Sequence, residues 1–506
     1  MKPRIGAMKS MQSLPSGTPQ PESGGMPEAA LPASDDGLVE PAWNHLPALL
    51  ACIGQAIAEA GGWLPFDRYM ELALYAPGLG YYAAAPGVLG AWGGSSDFVT
   101  APELTPLFAA TLARQVAAVA RAEGLATVVE FGAGSGRLAC DLLAALDAAG
   151  WLPAQYAIVE VSATMRARQR QAVTALPARL HERIVWWDTL PARFDAVVLG
   201  NEVLDAMPVK LARRTQQGWV ERGVVVISAP EPAAARQAPQ GGQENSGAAQ
   251  RFLESAPEPA AARQAPQGGR EHSGAAQRFL ESAPEPAAAR QGILENHDVS
   301  QRLAWAERAS GIAPRPSMEA LPLGAVTEIH QAAEAFISTL AGHLGRGLLL
   351  FIDYGFPAHE YDHPQRSAGT LRCHRAHRAH DDPLWQPGAS DITAHVNFSG
   401  IAQVAAQAGL ELLGYTSQAR FLLNCGLLDL LGAAVAAGQQ GETGAPRNRA
   451  GLAQTAAVQK LLSEAEMGEL FKVIALGRGL HAPLMGFAQG DRRAALTLHD
   501  TAEGRR

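Results

Sequence analysis

The chain has 506 residues, of which 47% are apolar and 18% charged, with a net charge of −8. Its length allows roughly two to four domains, or one large α/β domain carrying insertions. The acidic balance offers no electrostatic footprint for nucleic acid, and no apolar run approaches the roughly 18 residues of a membrane span.

Residues 1–45 are predicted to be a disordered tail rich in Pro, Gly and Ser, without the apolar segment of a secretory signal. Glu22, Glu28, Asp35 and Asp36 speak against a mitochondrial presequence, so a bacterial, cytoplasmic setting is expected, with a mitochondrial one if the chain is eukaryotic. Apolar spacing predicts amphipathic helices over 46–60 and 102–123, the second with Leu104, Leu107, Phe108, Leu112 and Val116 on one face. Thr127–Phe131 is then a short buried strand, followed by helix 137–148, strand Gln155–Glu160, helix 162–175 and strands Ile184–Trp187 and Phe194–Leu199. Such alternation predicts a parallel, doubly wound sheet. Trp219–Ile227 is an added strand, in a hairpin with 209–215.

At Ser228 the pattern stops. The segment SAPEPAAARQAPQGGQENSGAAQRFLE is followed by a near-identical copy from Ser255 and a truncated third from Ser282. Each unit offers one short apolar cluster, such as Phe252-Leu253, too little to offset the entropy of ordering it. Residues 228–291 are therefore predicted to be a disordered insertion between two parts of one domain, 46–227 and 292–490. The second part has helix 328–342, a fifth buried strand Gly347–Asp353, helix 399–408, strand Leu410–Tyr415, helices 420–437 and 452–463 and a last strand Phe471–Leu476. A tail, 491–506, follows.

The residues that carry chemistry fall at strand ends. Glu130-Phe131-Gly132-Ala133-Gly134-Ser135-Gly136 joins a strand to a helix, where Gly132, Gly134 and Gly136 allow backbone N–H groups to approach a ligand. A dinucleotide fingerprint counted from Gly132 meets Arg137 where a small residue belongs. Counted from Gly134 it fits Gly136 and Ala139, but two residues further from the strand. Glu130 favours an S-adenosylmethionine loop over a dinucleotide one. Glu160, 24 residues beyond Gly136, is placed to accept two ribose hydroxyls, which either ligand needs. Asp188 ends the third strand, where a polar side chain can reach an adenine amino group or simply cap a turn. Asn201, Glu202 and Asp205 follow the fourth strand. The two acids are three apart, one face of a helical turn, and could hold a guanidinium or accept a proton. Gly78–Tyr82 and Ser96–Glu103 form a Gly-rich aromatic stretch able to cover a ligand.

Two other features carry less. His374, His377 and His380 suggest a metal, but Arg372, Arg375 and Arg378 interleave and oppose a divalent cation, so no metal site is expected and the stretch reads as a polar loop. Cys52, Cys140, Cys373 and Cys425 are scattered without a C-x-x-C pair, which fits a reducing compartment.

The segments GLGYY (78–82), SDFVTAPELTPLF (96–108), VVEFGAGSGRLA (128–139), YAIVEVS (156–162), LGNEVLDAMPV (199–209), FIDYG (351–355) and PGASDITAHVNFS (387–399) occur in this order. Together they resemble the MidA/NDUFAF family of class I methyltransferases, over about residues 46–490; the repeats are foreign to the family pattern. The resemblance implies a Rossmann-like seven-stranded sheet with additional helical segments, S-adenosyl-L-methionine as cofactor and a protein arginine as substrate, such as one on a respiratory NADH dehydrogenase subunit. By motif it implies that Gly132, Gly134, Gly136, Glu160 and Asp188 contact the cofactor, and that Asp97, Thr100, Glu103, Asn201, Glu202 and Asp205 line the cofactor and substrate cleft. Two other functions compete: a non-catalytic assembly factor that binds a partner subunit, and a dinucleotide oxidoreductase, for which no catalytic His or Tyr-Lys set is found.

Overall fold

Helix α1 (Leu46–Glu59), the short strand β1 (Leu64–Pro65) and helix α2 (Phe66–Tyr75) come first in the computed structural model, which describes residues 45–84, 100–228, 301–309, 311–375, 378–439 and 446–496. The predicted tails, apart from His45 and 491–496, and all of the predicted insertion except Ser228 lie outside the described residues. The single helix expected over 102–123 is two, α3 (Ala101–Leu104) and α4 (Pro106–Glu123). Thr105 is extended (φ −165°) ahead of Pro106, and its hydroxyl accepts from Leu107 N to cap α4. A residue before proline is pushed out of the helical region, and Pro at the first helical position has no N–H to leave unpaired.

The next elements follow the predicted alternation: β2 (Thr127–Phe131), α5 (Arg137–Ala148), β3 (Gln155–Val159), α6 (Ala163–Val173), α7 (Ala178–His181), β4 (Ile184–Trp187) and β5 (Phe194–Asn201). Then come β6 (Lys210–Thr215), β7 (Gly218–Ser228), β8 (Gln301–Ala309), β9 (Val326–Ile329), helix Gln331–His343 and the long strand β10 (Leu344–Phe356). Four short strands follow, β11 (Arg372–Arg375), β12 (Arg378–His380), β13 (Asp391–Thr393) and β14 (Val396–Asn397). Helix Phe398–Gln407, β15 (Glu411–Ser417), helices Gln418–Asn424, Leu427–Gln439 and Pro446–Leu462, and β16 (Phe471–Arg478) complete the fold. The helix expected over 420–437 breaks at Gly426, whose φ of +81° ends one helix before the next begins.

Seven strands form the main sheet in the order β4-β3-β2-β5-β10-β16-β15, and β14 joins β10 over two residues. From β4 to β10 all pairings are parallel; β16 runs antiparallel to both neighbours. The sheet is buried on both faces. Val128, Val197 and Leu350 pack with Leu112 and Val116 of α4 and Leu142 of α5 on one side. Val129, Val198 and Leu349 pack with Phe336, Ile337 and Ile401 on the other. Neighbours in sequence face opposite ways, as the period of two in a strand requires. The chain leaves β2 toward β3 and β4 but returns through β5 toward β10, so the strand order reverses between β2 and β5. Ligands bind at the carboxyl ends of strands at such a reversal.

Two smaller sheets were not expected. One is antiparallel, β1-β7-β6-β9 with β8 on β7, and contains the predicted hairpin with Thr215 opposite Gly218. The other, β12-β11-β13, occupies the stretch expected to be a polar loop. Cys373 and Ile392, buried cross-strand partners, anchor it to the apolar cluster of α1 and α2. No single helix among the described residues is long and apolar enough to cross a membrane. One bent pair, Gln418–Asn424 with Leu427–Ala437, passes on length and composition alone.

Candidate functional site

A cleft of about 200 Å³, open to solvent at its mouth, lies at the reversal point. Its base is the loop after β2. Gly132, Gly134 and Gly136 have φ of +62°, +52° and +82°, a region L side chains rarely adopt. The loop also packs closely: a Cβ on Gly132 would come within 3.1 Å of Val203 Cγ2, and one on Gly136 within 3.3 Å of Gln169 Cα. A Cβ on Gly134 would meet nothing within 4 Å, because this residue faces the cleft.

Two buried acids flank the loop. Glu130 is 2% exposed and accepts a 2.6 Å hydrogen bond from Tyr156 Oη; burial still pushes its carboxyl up to about 7. Glu160 accepts from Ser162 N and Gln169 Nε2, both at 2.9 Å, and burial raises its pKa against those bonds. Gln169 also donates to Gly134 O at 3.1 Å, so one side chain ties the glycine loop to the second acid.

Beside the loop, the cleft wall is acidic and aromatic. Asn201, Glu202 and Asp205 line it directly after β5. Glu202 has a φ of +55°, which a residue with a Cβ holds only when its surroundings impose it. Asn201 Nδ2 donates to Glu202 Oε1 at 3.1 Å, and burial followed by the Asp205 charge pushes the Glu202 carboxyl up to about 8. Asp205 is 4% exposed, and burial raises its pKa. Asp391, from β13, supplies a third carboxylate to this wall and accepts from Tyr82 Oη at 2.8 Å. Tyr75 donates to Ala206 O at 2.9 Å and stacks on Tyr82 with ring centroids 5.5 Å apart.

Of the other residues singled out in the sequence, Thr100 and Glu103 line the cleft, and Ser135 Oγ donates to Glu103. Asp97 lies outside the described residues. Asp188 is not brought to the cleft: its side chain, 67% exposed, is paired with Arg166 of α6. His374 and His380 sit on β11 and β12, and His377 lies outside the described residues. Among the described residues no group of three or more His, Cys, Asp and Glu could hold a metal. Sequence reasoning passed over Tyr75, Asp353, Tyr354 and Asp391 as individuals. For Asp353 the signal was present: like Glu130 and Glu160, it is an acid near the carboxyl end of a buried strand.

The residues present fit an adenosyl sulfonium ligand. Gly132, Ala133, Gly134 and Ser135 of the loop line the cleft together with the acids Glu130, Glu160, Glu202, Asp205 and Asp391, a donor and charge set suited to a cationic nucleoside.

The profile of a family described as "Putative S-adenosyl-L-methionine-dependent methyltransferase" matches residues 107–416. A Burkholderia thailandensis chain, described as a "likely methyl transferase" and crystallised with S-adenosyl-homocysteine, is 42% identical over 92% of this chain and all of its own, with a TM-score of 0.70. The mitochondrial protein arginine methyltransferase NDUFAF7 of Danio rerio is 25% identical over 395 residues, 73% of this chain and 74% of that protein. Its Xenopus tropicalis counterpart is 25% identical over 398 residues, 73% of each.

Proposed function

The chain belongs to the family of putative S-adenosyl-L-methionine-dependent methyltransferases, and from that premise we propose that it transfers a methyl group to an arginine of a protein substrate, such as a subunit of a respiratory complex. The observation that carries this reading is the meeting of Glu202, Asp205 and Asp391 in one cleft with the glycine loop, together with Tyr75, Tyr82 and Tyr354 in the same lining. A guanidinium is flat, cationic and rich in donors; paired carboxylates bind its edge and aromatic rings its face. The names of the Danio and Xenopus relatives support the same substrate.

S-adenosylmethionine supplies an electrophilic methyl group on a sulfonium. The chain's own residues do the rest. Backbone amides of Ala133, Gly134 and Ser135 and the carboxylates of Glu130 and Glu160 fix the cofactor, the Gly132 and Gly136 N–H groups being bonded to Val159 O and Ala133 O. Asn201, Glu202 and Asp205 orient the acceptor nitrogen in line with the methyl, where positioning supplies much of the rate. As the N–C bond forms, the S–C pair stays on sulfur and the displaced N–H proton passes to a carboxylate of the acid turn. An arriving guanidinium lowers the raised Glu202 pKa, so the acid ionises as its partner binds. We also propose a bacterial setting, supported by the likeness to the Burkholderia chain.

Calorimetric titration with S-adenosylmethionine, with NADH in a parallel cell, followed by labelled methyl transfer to lysate proteins and hydrolysis to amino acids, tests this. S-adenosylmethionine binding and labelled methylarginine are expected. Label confined to other residues overturns the arginine assignment. Cofactor binding without transfer favours the assembly-factor reading, and NADH binding alone removes the protein from the methyltransferases.

A further inference from the structure

Asp353 lies near the end of β10, with none of its side chain exposed. Its Oδ2 accepts from Val203 N at 3.0 Å and Leu204 N at 2.8 Å, and the preceding carbonyl, Ile352 O, accepts from Glu202 N at 2.9 Å. Three consecutive N–H groups of the acid turn are thus held by two consecutive residues of one strand. That is the anchoring a positive φ at Glu202 needs, because nothing local to the turn would hold it there.

The same side chain meets Asp205. The two carboxyl groups are close enough for each to perturb the other, and the Oδ1 of each is buried with no hydrogen-bond partner. Two buried carboxylates so placed resist ionising together, and the unpartnered Oδ1 on each is a place for one shared proton. Tyr354, the next residue on the strand, lines the same cleft as Asp205. A residue that only braced the turn would need the two backbone bonds but not an acid facing Asp205.

We propose that Asp353 is the positioning residue of the acid turn: it holds residues 202–205 through their backbone and shares one proton with Asp205, so that Asp205 meets the substrate with a fixed orientation and a single charge divided between two acids. This rests on reading Glu202 and Asp205 as the acids that face the substrate.

The test compares the full chain with Asp353→Asn, Asp353→Ala and Asp205→Asn. Asparagine keeps an oxygen for the Val203 and Leu204 N–H groups and offers an N–H to Asp205, but cannot share a proton. Infrared difference spectra at neutral pH read the C=O stretch of protonated carboxyls. Asp353→Asn and Asp205→Asn are each expected to lose one protonated carboxyl, while Asp353→Asn binds S-adenosylmethionine within about twofold of wild type. Hydrogen exchange at residues 202–204 should match wild type in Asp353→Asn and quicken by about tenfold or more in Asp353→Ala. Retention of every protonated carboxyl in Asp353→Asn overturns the shared proton. Exchange in Asp353→Ala as slow as in wild type overturns the anchoring, and if that variant unfolds, faster exchange at 202–204 in the folded Asp353→Asn does so instead. None of these readouts needs a methyl acceptor, so a protein that modifies no arginine would refute the proposed substrate while leaving this result to stand by itself.

Discussion

Glu202 combines a strained backbone with an acid pushed up to about 8, and both follow from its place just past β5. An acid whose pKa is higher folded than unfolded binds more protons in the native state. Its contribution to stability is complete below its ordinary 4.5 and is lost as pH rises through about 8. The melting temperature of the ligand-free protein should therefore fall across that window, and Glu202→Gln should flatten the fall. A pH series of thermal melts that is parallel in the two proteins would show that Glu202 does not titrate there. At Gly134 the constraint is conformational: an added side chain would clash with nothing, but the φ of +52° disfavours it. Gly134→Val should cost roughly 1–3 kcal/mol of local strain if the loop keeps its shape. If instead the loop relaxes, its amides are misaimed and S-adenosylmethionine affinity drops, by calorimetry, at least about tenfold. Unchanged affinity would remove the loop from the cofactor site.

Among the elements, those legible in the sequence were the ones whose pattern depends on burial alone. Thr127–Phe131, Gln155–Val159 and Phe471–Arg478 are largely apolar runs because an internal strand is covered on both faces. β11 to β13 were illegible: they have three or four residues each, and Arg372, Arg375 and Arg378 mask the one buried position of β11, Cys373, which pairs with Ile392. Helix α2 was missed because its ten residues follow Pro65 within an aromatic stretch that reads equally as loop. The β7–β8 hairpin makes a prediction of its own. Ser228 pairs directly with Gln301, so the chain between leaves and re-enters at the same point of the ladder. Replacing 229–300 by an Asn-Gly turn should preserve the hairpin, since two-residue loops of that kind match strand twist. Because a shorter loop costs less entropy to close, the melting temperature should hold or rise. A large fall in a thermal melt would show that the replaced residues contribute to the fold.

For the whole molecule, the cleft draws on distant parts of the chain. Tyr75 and Tyr82 come from the N-terminal segment, Glu130 and Glu160 from successive strands, and Asp391 from beyond β10. A ligand touching all of these binds only the folded state and stabilises it by about 2.7 kcal/mol at a concentration of about 100 times Kd. S-adenosylmethionine should therefore raise the melting temperature by a few degrees in a thermal-shift measurement, and NADH at equal concentration should not. An equal rise with both would identify a general nucleoside cleft.

The sequence by itself determined the strand and helix alternation, the glycine loop, the acids at strand ends and the place of the repeat, because each is set by local periodicity or by a residue's own backbone preference. Only the tertiary structure decided which of those acids meet. Asp188 was marked by the same strand-end rule as Glu160, yet α6 draws it toward Arg166, away from the cleft. Asp353 was never singled out, yet parallel pairing of β10 with β5 places it against the turn that carries Glu202 and Asp205. The position of a side chain along a strand is written in the local sequence. Its partner across the sheet depends on strand order and register, which are set by packing over the entire core.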